Sequence, residues 1–161
     1  MRTLKTILTS IIVVTFIACG GKEEKKGKFE YQSKKETKKV PPKVTSTTPV
    51  DMDNQGIGPI KDFSFEEQID KDLATKGEGI FKVKCIACHK AAERFIGPPM
   101  KDIYERRNPT WVMNIMLNPD EMLEKDPIAV ALLKEYNGVK MINQQLTEEE
   151  ARALAEYFRE L

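Results

Sequence analysis

The five residues Cys85-Ile86-Ala87-Cys88-His89 limit what this chain can fold into more than any other stretch. They hold two of its three cysteines and its only histidine. Two thiols one helical turn apart reach one edge of a planar macrocycle, and a histidine directly after them turns its imidazole under a central metal. This is the C-x-x-C-H spacing of covalent haem c attachment, with Cys85 and Cys88 supplying the thioether sulfurs and His89 the proximal iron ligand. The spacing therefore predicts a domain built around one covalently attached haem.

Other uses of these side chains fit less well. A zinc site needs about four ligands, and Cys85, Cys88 and His89 are too few and too closely clustered for tetrahedral geometry. A thioredoxin-like pair belongs beside a βαβ pattern, and no strand pattern is visible here. A structural disulfide suits an exported chain but leaves His89 without a role.

Export itself is written at the N-terminus. Arg2 and Lys5 precede thirteen uncharged residues, Thr6 to Ala18. A bilayer-spanning helix needs roughly 20 apolar residues, so residues 1–18 read as a signal peptide. Phe16-Ile17-Ala18-Cys19-Gly20 resembles the lipobox of bacterial lipoproteins, which makes Cys19 the expected lipidation site. That resemblance places the mature chain in the bacterial cell envelope, lipid-anchored to a membrane and facing the periplasm or the cell surface. Phe16 stands where leucine is usual.

Residues 19–50 then read as the lipidated cysteine and a disordered tether. Between positions 20 and 50 nine lysines face four glutamates, with almost no apolar residues to form a core. A flexible segment of this length spans on the order of 30 Å. From Asp51 onward 15 Lys/Arg are outnumbered by 21 Asp/Glu, and this acidic balance argues against a nucleic-acid partner. Residues 51–69 form an irregular lead-in, expected to lie along the domain surface.

The rest, 70–161, reads as all-α. Leu73, Gly77, Ile80, Phe81 and Lys84 recur at helical spacing and lead into the cysteine motif. Asn108-Pro109, Asn118-Pro119 and Asp126-Pro127 each set a capping residue before a proline, the signature of a helix start. The first of these helices groups Trp111, Val112, Ile115 and Met116; the third groups Ile128, Ala131, Leu132 and Tyr136 and stops at Asn137-Gly138. Thr147 and Glu150 form a capping box for a last helix that buries Ala151, Leu154, Ala155, Phe158 and Leu161.

The sixth iron position separates electron carriage from ligand binding. A second histidine is excluded by composition. Met113 and Met116 sit mid-helix as core residues, Met122 falls in a charged turn expected to be exposed, and Met100 follows His89 closely. Met141 lies in an irregular segment between two helices, well placed to reach across a porphyrin, with packing on the core the lesser alternative for a loop methionine.

Taken together, Gly79 and Phe81 before the motif, Gly97-Pro98 after it, a loop methionine and a last helix with Tyr157 and Phe158 resemble the class I monohaem cytochromes c. The similarity runs from about Asp70 to Leu161. It implies a small helical domain around the haem, Pro98 as the residue whose carbonyl orients His89, and Met141 as the distal metal ligand. It further implies an electron-transfer protein rather than an enzyme, expected to be monomeric and to serve redox protein partners such as a terminal reductase or oxidase. The acidic domain suggests a basic docking face on such a partner. A haem-based sensor or small peroxidase with an open sixth site is the alternative. Ile142 replaces a common proline and Met100 a common leucine. Trp111 and Tyr104 are candidate hydrogen-bond donors at the haem edge, and Arg106 or Arg107 a candidate propionate partner.

Overall fold

The structure, a computed structural model, describes residues 47–161. The expected signal segment, Cys19 and the tether as far as residue 46 lie outside the described residues. Five α-helices make up the domain: α1 (Lys71–Ile80), α2 (Pro109–Leu117), α3 (Pro119–Lys125), α4 (Pro127–Glu135) and α5 (Glu148–Phe158). The described residues contain no strand, and their one isolated bridge pairs Asp51 with Arg107. The all-α expectation holds.

Local chemistry sets the helix ends. Asp70 accepts from the N–H groups of Asp72 and Leu73 to start α1, and Asn108 accepts from Thr110 N–H to start α2. At α5 the capping box closes in both directions, Glu150 N–H to Thr147 Oγ1 at 3.1 Å and Thr147 N–H to Glu150 Oε2 at 3.0 Å. The stop after α4 uses left-handed backbone at Asn137 and Gly138, with Gly138 N–H donating to Leu133 C=O at 2.8 Å.

Where α1 meets α5 the contact requires glycine. A Cβ on Gly77 would collide with the backbone carbonyl of Ala153, whereas one on Gly79 would meet open space. The resemblance had drawn attention to Gly79, but Gly77 is the residue that lets the two backbones approach. Phe81 then packs edge-on against Phe158, ring centroids 6.0 Å apart.

After α1 the chain widens into a π turn, Phe81–Cys85, closed by Ile86 N–H donating to Phe81 C=O at 3.0 Å. The extra residue in that turn re-phases the helix as it enters the cysteine motif, and such bulges are frequent at functional sites.

Two sequence expectations need correction. Met122, expected in an exposed turn, is fully buried in α3, and its sulfur accepts the Ile57 N–H at 2.8 Å. The charges around it belong to the outer face of the short helix, so local composition misleads. The unstructured stretch expected as far as residue 50 also ends sooner. Thr48 is buried, its N–H and hydroxyl donating to Glu135 Oε2 at 3.0 and 2.6 Å. From there to Asp70 the chain forms a strap across the domain. Its Ile57, Ile60, Phe63 and Phe65 pack against the core.

Three side chains four residues apart hold the strap, two on α2 and the third that of Asn118, which caps its end. Thr110 Oγ1 accepts Phe63 N–H at 3.0 Å. Asn114 Oδ1 accepts Ile60 N–H at 3.0 Å while its Nδ2 donates to the Gln55 and Ile60 carbonyls, each at 2.9 Å. Asn118 Nδ2 donates to Ile57 C=O at 3.1 Å. Spacing of four puts Thr110 and Asn114 on one face of the helix with Asn118 just past its end, where they satisfy backbone groups that have no sheet or helix to do so.

Candidate haem-binding site

The other face of α2 looks into a cavity of about 410 Å³. Cys85, Cys88, His89, Met100 and Met141 all line it, together with Trp111 and many aliphatic side chains. Two fixed points build its floor. The motif turns back on itself, with His89 N–H donating to Cys85 C=O at 2.9 Å and Gly97 N–H to Cys88 C=O at 2.8 Å. Gly97 then lies flat against the imidazole, since a Cβ there would stand 2.5 Å from His89 Cε1.

His89 Nδ1 lies 2.9 Å from the Pro98 carbonyl oxygen. A carbonyl can only accept, so the hydrogen bond places the proton on Nδ1 and leaves the Nε2 lone pair free for a metal. Burial lowers the His89 pKa, the Pro98 bond opposing it, and so favours the neutral imidazole that a metal needs. The Cys85 thiol is pushed up to about 11 by burial, against a smaller pull from Lys84. Neither Cys85 nor Cys88 is in a disulfide.

Among the described residues no three His, Cys, Asp or Glu side chains group to hold a metal ion. A metal beside His89 would therefore need donors of another kind, which a macrocycle supplies. The lining fits such a group. It is largely apolar, it contains two thiols at attachment spacing, and its charged members are the cations Lys84, Arg106, Arg107 and Lys140, with no carboxylate among the described residues that line it. An apolar macrocycle carrying acidic side groups matches that chemistry.

The remaining candidates divide. Trp111 lines the cavity, but its Nε1–H donates to Asp126 Oδ1 at 3.0 Å instead of pointing to a haem edge. Tyr104 donates its hydroxyl to Ala155 C=O at 2.9 Å and is not in the lining. Arg106 and Arg107 line the cavity while donating to backbone carbonyls, those of Pro99 and Pro49 among them. Sequence reasoning missed the packing of Gly97 on His89, the strap, and Asp126 behind Trp111. Only Gly97 left a signal, a glycine directly before Pro98.

A helical domain enclosing an apolar cavity, with two attachment thiols and one oriented histidine, defines a c-type haem protein. Comparison with known proteins agrees. The family model for cytochrome c matches residues 74–161, more than half the chain. A solved cytochrome c from Rhodothermus marinus is 48% identical, covering 64% of this chain and 88% of its own, at a TM-score of 0.62. An engineered form of that cytochrome is 47% identical with 64% and 89% covered and a TM-score of 0.61. The engineered form bound to a carbene intermediate (1-ethoxy-1-oxopropan-2-ylidene) gives 47%, 64%, 88% and 0.59. A comparison with curated proteins finds no match. This chain belongs to the cytochrome c family, whose domain implies covalently bound haem c and a haem-based electron carrier.

Proposed function

We propose that this protein is a membrane-anchored, single-electron carrier, a monohaem cytochrome c with His89 and Met141 as axial ligands. It exchanges electrons with respiratory redox proteins, such as a terminal reductase or oxidase, in the bacterial cell envelope. The observation that carries the reading is His89, its Nδ1 bonded to Pro98, lining the same cavity as Met141.

Bound haem supplies an iron that gains and loses one electron. Cys85 and Cys88 would hold it through two thioether links, and Pro98 fixes the orientation and basicity of His89. A thioether from Met141 raises the potential relative to a second histidine, and the apolar walls from α2 exclude water. Ile86, Val139 and Ile142 are exposed beside the attachment and Met141 segments, an apolar contact surface of the kind that brief redox encounters use. The acidic balance of the domain steers a basic partner, so reduction by that partner slows as salt rises. Rates independent of salt would remove this steering. No helix of the described residues is long and apolar enough to cross a membrane. The anchor in this reading is lipid on Cys19, and Cys19→Ser should move the protein from the membrane to the soluble fraction.

Optical spectra of the oxidised and reduced holoprotein test the ligands. Wild type should be six-coordinate and low-spin, with a thioether-to-iron charge-transfer band that Met141→Ala abolishes and Met100→Ala retains. The reverse result makes Met100 the ligand. A high-spin wild type whose reduced form takes up carbon monoxide rapidly favours the second reading, a haem-based sensor or small peroxidase with an open sixth site. One observation favours that reading: an engineered relative holds a carbene intermediate.

A further inference from the structure

The family model begins at residue 74, so the strap lies ahead of the residues it matches. It nevertheless reaches the haem cavity through α2. The helix lies between them, with Thr110, Asn114 and Asn118 gripping the strap and Trp111, Val112, Ile115 and Met116 lining the cavity.

Trp111 is where the two sides meet. Its indole N–H donates to Asp126 Oδ1 at 3.0 Å, and Asp126 is 2% exposed. The same oxygen caps α4 by accepting Ala129 N–H at 2.8 Å. The other oxygen, Oδ2, accepts from Asn54 Nδ2 of the strap at 2.8 Å. All three donors are neutral, so the carboxylate is satisfied in hydrogen bonds with no cation among those donors. On the next part of the strap Gly56, at φ +73°, sits close enough that a Cβ would lie 3.2 Å from Trp111 Cδ1. Arg107 stands with its guanidinium carbon 5.6 Å from the Trp111 ring centroid, held by the Pro49 carbonyl of the strap at 3.0 Å. Strap residues thus hold both charged neighbours of this one cavity-lining ring.

We infer that Asp126, clamped by Asn54, is a positioning residue for the haem environment, fixing Trp111 against the cavity and setting a buried carboxylate behind it. The inference rests on the electron-carrier reading and deepens it. Oxidised iron carries one more positive charge than reduced iron, so a buried anion nearby stabilises the oxidised state and lowers the potential. Inside a protein that effect is screened far less than at the surface. The strap then tunes the redox centre without contributing a side chain to its walls.

The test uses full-length holoprotein and the variants Asp126→Asn and Asn54→Ala. Two quantities are read: the midpoint potential, and the near-ultraviolet circular dichroism of Trp111, the only tryptophan in the chain. Asp126→Asn keeps a carbonyl oxygen for Trp111 and Ala129 but removes the charge and turns an amide NH2 toward the Asn54 donor, so the potential should rise while the Trp111 signal weakens no more than in Asn54→Ala. Asn54→Ala leaves the charge but opens the clamp, so the Trp111 signal should weaken and the potential should shift, although Asn54 does not line the cavity. Unchanged potentials and an unchanged Trp111 signal, with only a lower unfolding midpoint, would overturn the inference by making the contacts purely structural. If Asp126→Asn does not fold, Asn54→Ala decides by the same two readings. Should wild type show no reversible one-electron couple, the electron-carrier reading falls. The Trp111 signal of Asn54→Ala then decides the clamp by itself.

Discussion

Where α1 crosses α5, small residues let two backbones touch: Gly77 lies against Ala153, and Ala74, Ala151 and Ala155 are fully buried beside it. Where the strap crosses α2, the contact is polar, with Thr110, Asn114 and Asn118 bonding to the strap's own backbone. The difference follows from what each segment must satisfy. A helix meets its own hydrogen bonds and needs only shape from its neighbour. An extended strap with no sheet brings unpaired N–H and C=O groups into contact with the core, so its neighbour has to supply donors and acceptors. The two contacts should therefore fail in different ways.

Glu156 joins both regions and gives the largest expected effect. It is fully buried on α5, paired with Arg152 at 2.6 Å and Arg159 at 2.9 Å. Arg159 also donates to the carbonyls of Glu66, Glu67 and Gln68, and its guanidinium lies 4.6 Å from the Phe65 ring centroid. Removing one partner of a buried ion network costs about 3–5 kcal/mol. Glu156→Ala should lose that much in urea unfolding of the holoprotein and speed amide exchange in strap and helix alike. A loss confined to one region would separate the two contacts more sharply than the structure does.

Gly77→Ala should cost about 3 kcal/mol, the upper end for overpacking, because the obstacle is a backbone carbonyl that cannot rotate away. Its signature is a lower unfolding midpoint with strap exchange protection retained. Asn114→Ala comes next, at about 2 kcal/mol, since it deletes three hydrogen bonds and leaves strap backbone groups unpaired. Here the Ile60 amide should exchange rapidly while α1 and α5 stay protected. If both variants loosen both regions equally, the domain unfolds as one unit and the comparison describes contacts only.

How much was legible beforehand follows the same division. Helix starts at Pro109, Pro119 and Pro127 and the capping box at Thr147 are set by residues within one turn of each other, and they appear where local chemistry places them. The pairing of Cys85, Cys88 and His89 is just as local. Met122 was misread because its neighbours in sequence are charged, while its neighbour in space is the strap. Trp111 was a candidate haem-edge donor on its chemistry alone. The indole N–H needed a buried acceptor, and nothing in the sequence says that Asp126, fifteen residues on, supplies it.

The attachment motif, the helical class and most helix boundaries are legible in the residues alone, because each depends on interactions spanning at most a few residues. The packed fold alone shows that Gly97 lies flat on His89, that Gly77 is the residue at the helix crossing, and that the chain ahead of the family domain is stitched to α2 and to Asp126. The hydrogen bonds among those contacts join residues as many as 72 positions apart. Hydrogen-bond donors and acceptors at such separations carry no periodicity, and their partners are chosen only when burial leaves one geometry in which every polar group is satisfied.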